Sequence, residues 1–522
     1  MAKTNEKAEG KKLLDRVMEI AIHRGFLIPT AEIYPDRLAG FFEFGPVGVH
    51  LKRHLVELWR EMFVTGEINP PVYEIEGAVV LPEQVLVASG HASSFTDPVV
   101  SCAKCGETLR ADHLVEEATG KFVEGASTDE LAGIIREEGL KCPKCGGELE
   151  PPTVFNLMLK TRVGPKSGVV AYLRPETAQS IFLAYKRVQQ SMRASLPFGI
   201  AQVGNSFRNE IAPRQGLIRM RAFNQMEIEV FVDPQEVETH PNLKSVADVK
   251  IRLITQEAQR SGQDPAGEDL TVKEAVERGL FPNEYLAYYV GKEQLFYEAL
   301  GIPADAIRFR HMLPEETPFY SKGNFDVEVR LSVGWKEVVG NAYRTDHDLS
   351  THMKHSKTKL TYGTKKRKFV PHVVEPSFGV ERSLYCTLEH CFREKGHDRD
   401  WAWFQFPPRI APYQVHVFPL QRRDGLEEHA RGIYESLKKA GLKVLYDHAG
   451  SIGKRYARAD EIGTPYCVTV DYKTLEEEPA TVTIRDRDTT HQVRVRVDRL
   501  EAVLRDLVAG EAYFEDLGQF IR

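Results

Sequence analysis

The chain has 522 residues, 42% of them hydrophobic and 28% charged, with a formal net charge of −6. That length exceeds one ordinary core and predicts two or three domains, and the apolar-to-charged balance excludes a disordered chain and fits a soluble globular enzyme. The polar start MAKTNEKAEGKK, the lack of an apolar run near about eighteen residues and the acidic balance predict a cytoplasmic protein without a membrane span, in which any RNA ligand needs local basic patches.

In chain order, residues 12–21 carry a helical stripe of Leu13, Leu14, Val17, Met18 and Ala21, and residues 51–63 repeat it with Leu55, Leu58, Trp59 and Met62. Both predict helices packed on a sheet. Cysteines then come in two knuckles, CAKC at Cys102 and Cys105 and CPKC at Cys142 and Cys145, each followed by a glycine, Gly106 or Gly146. Such spacing lets two thiolates per knuckle converge on one tetrahedral zinc. Two disulfides or four unrelated thiols are the alternatives; a reducing compartment disfavours the first and the paired spacing the second. Four protein ligands leave no open position, so this zinc is structural. Cys386, Cys391 and Cys467 read as small core residues.

Residues 198–207 form an apolar-leading run, and a turn with Pro213, Gln215 and Gly216 leads into a second strand. There Met220, Ala222, Asn224, Met226, Ile228, Val230 and Val232 share one side at period two, while Arg219, Arg221, Phe223, Gln225, Glu227 and Glu229 share the other. This antiparallel pair aims a cationic, aromatic and acidic row at a ligand, which suits a triphosphate and a purine. Residues 236–305 carry helical patterns at 243–259, 272–279 and 284–300, predicting a helical insertion. Val380, Leu384, Leu388 and Phe392 make one apolar line of a helix that starts after Gly379. Beyond the aromatic run from Trp401, a βαβ rhythm places strands at 414–420, 443–447 and 466–471 and helices at 426–439, 454–461 and 499–508.

Three strips carry a resemblance. FRNEIAPRQGLIRMRAFNQMEIEVFV (207–232) resembles motif 2 of the class II aminoacyl-tRNA synthetases, EPSFGVERSLY (375–385) resembles motif 3, and RPETAQSIF (174–182) resembles a substrate-pocket strip of the homodimeric branch specific for glycine. IGKRYARADEIGTPYCVTVD (452–471) is similar to the anticodon-binding domain that follows. The resemblance implies an α/β (α+β) fold. In it, an antiparallel sheet flanked by helices forms a catalytic domain over 1–410, interrupted by a zinc-ribbon-like insertion (97–152) and the helical insertion, with an α/β anticodon-binding domain over 411–522. It implies a homodimer that uses ATP, glycine, tRNA(Gly) and Mg²⁺. Motif 1 is expected between residues 49 and 89, with Pro82 as its proline. The basic stretch 354–368 reads either as a solvated loop or as a tRNA contact.

Making an aminoacyl adenylate puts negative charge on the α-phosphorus, so fixed cations are the expected catalysts. By resemblance Arg208 holds the α-phosphate and the substrate carboxylate, Arg382 the γ-phosphate of a bent ATP, and Glu210 completes the catalytic set; either arginine alone reads equally as a surface ion-pair partner. Asn209, Ile218, Arg219, Met220, Arg221 and Ala222 are expected around the nucleotide, with Phe223 as adenine platform or, alternatively, a core ring. Glu337, with Val338 beside it, is expected at the ATP-bound magnesium. Gly379 admits close approach at a helix N-terminus. The glycine pocket implied is Glu176, Glu227, Glu375 and Ser377, with Phe223, Asn224, Gln225, Met226 and Gly379, and Arg110 closing over the substrate. Ser180 and Glu381 depart from residues common in the family. The rivals are a class II enzyme for threonine, proline or histidine, and a noncatalytic nucleic-acid-binding relative.

Overall fold

The computed structural model describes residues 2–35, 38–121, 123, 125–166, 168–211, 213, 216–261, 267–318, 320–363, 367–396 and 399–521, with side chains from residue 12 onward. Gln215 of the expected turn and residues 364–366 of the basic stretch lie outside these.

A nine-stranded sheet organises the larger part of the chain. Its strands are β1 (Val72–Ile75), β2 (Phe198–Phe207), β3 (Ala222–Val232), β4 (Lys250–Ile254), β5 (Glu268–Thr271), β6 (Ile307–His311), β7 (Asn324–Leu331), β8 (Gly334–Thr345) and β9 (His372–Gly379). They lie in the order β5-β4-β6-β7-β8-β9-β3-β2-β1. All neighbours are antiparallel except β1 with β2 and β4 with β6. Helices α1 (Ala2–His23), α2 (Gly48–Arg60), α3 (Ala178–Ser191), α4 (Glu284–Ala299) and α5 (Val380–Cys391) cover it.

The period-two reading of β3 accounts for its two environments. Met226, Ile228, Val230 and Val232 are buried in one core with Leu51, Leu55, Trp59, Val380 and Leu384, which brings α2 and α5 under the strand. Each such side chain contributes about 1.5–3 kcal/mol when fully buried. On the opposite face Phe231 joins Phe198, Ile200 and the buried face of α3, which leaves Phe223, Gln225, Glu227 and Glu229 along the same face toward the open end.

The structure corrects the helical insertion. Residues 250–254 are not helix but strand β4, paired with β5 and β6 at the sheet edge; of the expected 243–259 helix there is a 3-10 turn at Leu243–Ser245 and the start of the short α-helix Gln256–Arg260. The β-branched and apolar side chains of KIRLI suit a strand whose Ile251, Leu253 and Ile254 are buried, and sheet pairing overrides the weak helical spacing. The predicted helix at 284–300 forms as α4, and it is a central packing element: Tyr289, Phe296 and Tyr297 are wholly buried.

The knuckle segment has its own three-stranded sheet (Thr96–Ser101, Thr108–Arg110 and Thr153–Asn156) and a small core of Val100, Ala111, Val115, Leu131 and Ile135. Between residues 49 and 89 the chain forms α2 and then β1. Pro82 is on neither, ending a strand that pairs with Val169–Leu173. In the basic stretch Arg367 pairs with Asp233 at 2.6 Å.

The C-terminal part is a second sheet with its own core, following the βα rhythm read from the sequence: Val415–Pro419 and Tyr466–Val470 run parallel, and Leu426–Lys439 packs over them. Thr481–Asp486 and Gln492–Arg496 extend it antiparallel. Several bonds tie it to the larger unit. Arg487 donates to the carbonyl of Phe406 (2.8 Å) and lies 5.7 Å over the Trp403 ring, Arg399 bonds the buried Asp460, and Arg24 pairs with Glu461.

Candidate active site

A cleft of about 330 Å³ opens over β3, β8 and β9. Pairing of β3 with β9 sets Glu227 opposite Ser377 and Gln225 opposite Gly379, and β8 sets Ala342 opposite Glu375, so three strips distant in sequence share one floor.

One end of the cleft is acidic. Glu227 accepts from Ser377 Oγ at 2.7 Å and from the Thr177 hydroxyl. Glu375 accepts from Arg344 Nη1 at 2.7 Å, and the same guanidinium is held by Asp348 at 2.7 and 2.9 Å. Glu176 accepts from Gln179 at 2.8 Å and faces His91 at 3.3 Å. Burial, then the neighbouring Glu375 and Glu176, pushes the Glu227 carboxyl well above its usual range; burial likewise raises Glu375 against the pull of Arg344. For Glu176 burial is outweighed by His91, Arg344 and Gln179, and its carboxyl is held low. Gly340 and Ala342 line this end with minimal bulk.

The other end is cationic. Arg208 donates to Pro175 O at 3.2 Å, with its guanidinium 5.3 Å from the ring of Phe95 and 5.3 Å from that of Phe223. Phe223 is thus half-buried at the cleft wall, not a core ring. Arg382, in the first turn of α5, donates to Ile218 O (3.1 Å) and Glu337 O (2.9 Å) and pairs with the Glu337 carboxylate at 3.2 Å. Glu210 pairs with Arg219 at 3.5 Å. Ile218, Met220, Val338 and Gly379 complete the wall.

Several expected residues lie elsewhere. Asn224 and Met226 face away, as β3's alternation demands: Asn224 Nδ2 donates to Glu381 at 3.0 Å and Met226 is wholly buried in the core. Ala222 is on that same side. Arg221 braces the strand connection, donating to Glu210 O and Ala39 O, and Asn209 is held through its backbone to Leu157 O. Arg110 sits on the knuckle segment, paired with Asp97 at 3.3 Å and with Asp112, and is not part of the cleft wall.

Sequence reading missed Arg344, Asp326 and Tyr320. Arg344 ends the small-residue face of β8, and a charged residue at an inward strand position was the available signal. Asp326 lines the cleft beside Glu337; burial and then Glu337 push its carboxyl up to about 7. Its acidity and that of Glu337 suit a hard cation.

In the knuckle segment the sulfurs of Cys102 and Cys145 are 3.5 Å apart and those of Cys105 and Cys142 3.7 Å. A tetrahedral ion about 2.3 Å from each sulfur needs S···S edges of about 3.8 Å. Disulfides are excluded at these separations. Gly106 and Gly146 both take φ +69°, the left-handed turn that returns their amides to Cys102 O and Cys142 O. Backbone amides of Cys105 and Lys104 lower the Cys102 thiol to about 6, while Cys145, despite the Gly147 amide, is pushed up to about 12 by the neighbouring Cys105 and by burial.

Comparison with known proteins gives two family matches: the tRNA synthetase class II core domain (G, H, P, S and T) over residues 167–251 and the anticodon binding domain over residues 414–507. Full-length relatives include the glycine–tRNA ligase of Aeropyrum pernix, 43% identical over 97% of this chain and 98% of the relative. Those of Methanothrix thermoacetophila (39%; 97% and 99%) and Methanocaldococcus jannaschii (38%; 95% and 99%) match as extensively.

Proposed function

The chain belongs to the glycine–tRNA ligase family of class II synthetases and joins glycine to tRNA with ATP, and from that premise we propose how the cleft divides the work. The acidic end receives the glycine ammonium among Glu176, Glu227 and Glu375, while Gly340 and Ala342 keep the floor low. Arg208, with its fork between two aromatic faces, holds the glycine carboxylate against the α-phosphate. The carboxylate attacks the α-phosphorus and pyrophosphate departs, leaving glycyl adenylate, with Arg208 and Arg382 countering the charge that develops on the phosphates. The adenine stacks on Phe223. Magnesium arriving with ATP would be held at Glu337 and Asp326 and would neutralise phosphate charge. Cys102, Cys105, Cys142 and Cys145 would hold a zinc ion, which would brace the fold of the knuckle segment rather than serve the reaction. The second sheet carries the tRNA anticodon contacts, and two chains form a homodimer.

What carries this reading is the joint wall: three acids at one end, Glu227 and Glu375 buried and Glu176 half-buried, and two arginines at the other of a single cleft. ATP–pyrophosphate exchange with a panel of amino acids tests it. Glycine alone should drive exchange; exchange driven by threonine, proline or histidine refutes it, as does a failure to bind ATP at millimolar concentration.

A further inference from the structure

Behind the acidic end stands a carboxylate outside the cleft wall. Glu229 is wholly buried, and neither of its oxygens accepts a hydrogen bond from a described residue. It follows Glu227 at period two on β3, and one oxygen each of Glu227, Glu229 and Glu375 lie within 4.8 Å of one another. Glu227 and Glu375 stand on the neighbouring strands β3 and β9 with an oxygen of each inside that radius, and two carboxyl groups so close in a buried site cannot both stay ionised.

The charges facing Glu229 are Glu227 on its own strand, Glu375 on β9, Arg344 on β8 and Asp348 on the following helix. Four carboxylates thus meet one guanidinium, and Arg344 spends two of its three bonds on Asp348. A bare, unpartnered carboxylate is the costliest occupant of such a site. Burial and then Glu375 raise the Glu229 carboxyl well above its usual range, which agrees with the geometry.

Resting on the glycine subsite described above, we propose that Glu229 is an uncharged positioning acid that donates its O–H to Glu227 or Glu375, and that entering glycine expels one proton from the Glu227–Glu375 pair. Glycine enters as its zwitterion. One carboxyl O–H bond of the pair breaks, the proton leaves to solvent, and the ammonium takes its place as counter-charge; Glu229 keeps its own proton throughout. The charge at the acidic end is therefore the same before and after binding, with the glycine carboxylate balanced separately at Arg208, so selection for a small cation costs little reorganisation.

The experiment is glycine titration of the full chain by calorimetry, in two buffers of different ionisation enthalpy, below the pH at which free glycine loses its ammonium proton. About one proton should be released per glycine, and glycine KM should fall as pH rises, since the pair surrenders its proton more readily. Zero release refutes the exchange while leaving the subsite reading intact; no binding heat refutes both. His91, facing Glu176, is the other nearby proton source, so release that disappears in His91→Gln also overturns the proposal. Glu229→Leu removes the donor and should raise glycine KM by about 10- to 100-fold, the worth of a hydrogen bond to a charged group, with ATP KM unchanged. Glu229→Gln, an uncharged donor, should restore most of the loss. If Gln is as poor as Leu in protein of unaltered melting temperature, or if Leu has no effect, Glu229 does not act as proposed.

Discussion

Replacing Arg382 with alanine separates catalysis from stability. In the resting structure the side chain bonds two carbonyls, Ile218 O and Glu337 O, and pairs with a half-exposed Glu337 carboxylate at 3.2 Å. With about a third of the guanidinium side chain exposed, that ion pair is worth at most about 1 kcal/mol, so folding stability should hardly move. Against the charge developing on a triphosphate, one preorganised donor is worth about 2.7–4 kcal/mol, or about a hundred- to thousandfold in rate. Glycine-dependent pyrophosphate exchange at saturating ATP reads the second quantity and thermal melting the first. Arg382→Lys keeps the charge but cannot span Ile218 O and Glu337 O with a planar fork, and should fall between the two. Exchange by Arg382→Ala within about threefold of the unaltered protein, or a loss matched by collapse of the melt, refutes the assignment.

Cys142→Ala should lower bound zinc, read by metal analysis, and open residues 97–152 to limited proteolysis while the large sheet stays resistant. Glu293 is wholly buried on α4 with Asn341 as its one hydrogen-bond partner among the described residues, and burial raises its carboxyl well above its ordinary value of 4.5. The folded state therefore holds a proton that the unfolded chain releases near 4.5. That stabilisation is complete below the unfolded value and is lost as pH rises toward the folded one, by up to about 1.4 kcal/mol per pH unit. Glu293→Gln should flatten this decline, measured as urea midpoints across that range. Sedimentation of the full chain should give a dimer, weakened by Ile68→Asp with Val87→Asp, since both are exposed apolar side chains within the 49–89 segment where motif 1 is expected.

The hairpin β2–β3 was legible because alternation is a strong local signal, and it correctly separates Glu227 from Met226. The same alternation argues against Asn224 and Met226 as pocket residues, and motif resemblance overrode it. α4 was visible as a helix but not as a central one: a helix buried all round has no polar face to reveal which side packs. β4 was hidden because five residues that pair only with distant partners resemble part of a helical stripe. Arg344 stands out in sequence only as a charge at an inward strand position; its role needs β8 aligned with β9, which sets it beside Glu375, thirty-one residues on. Arg110 shows the opposite case, in which motif context suggests a ligand and local ion pairs occupy the side chain.

Arg399, Trp403 and Arg487 form a seam where guanidinium stacking and carbonyl bonds clamp the second sheet to the first. A seam of this kind works as a caliper. With tRNA proposed to reach from the second sheet to the cleft, a clamped seam would hold both ends of its path at one span, so the length and bend of the RNA would bear on its fit alongside its bases.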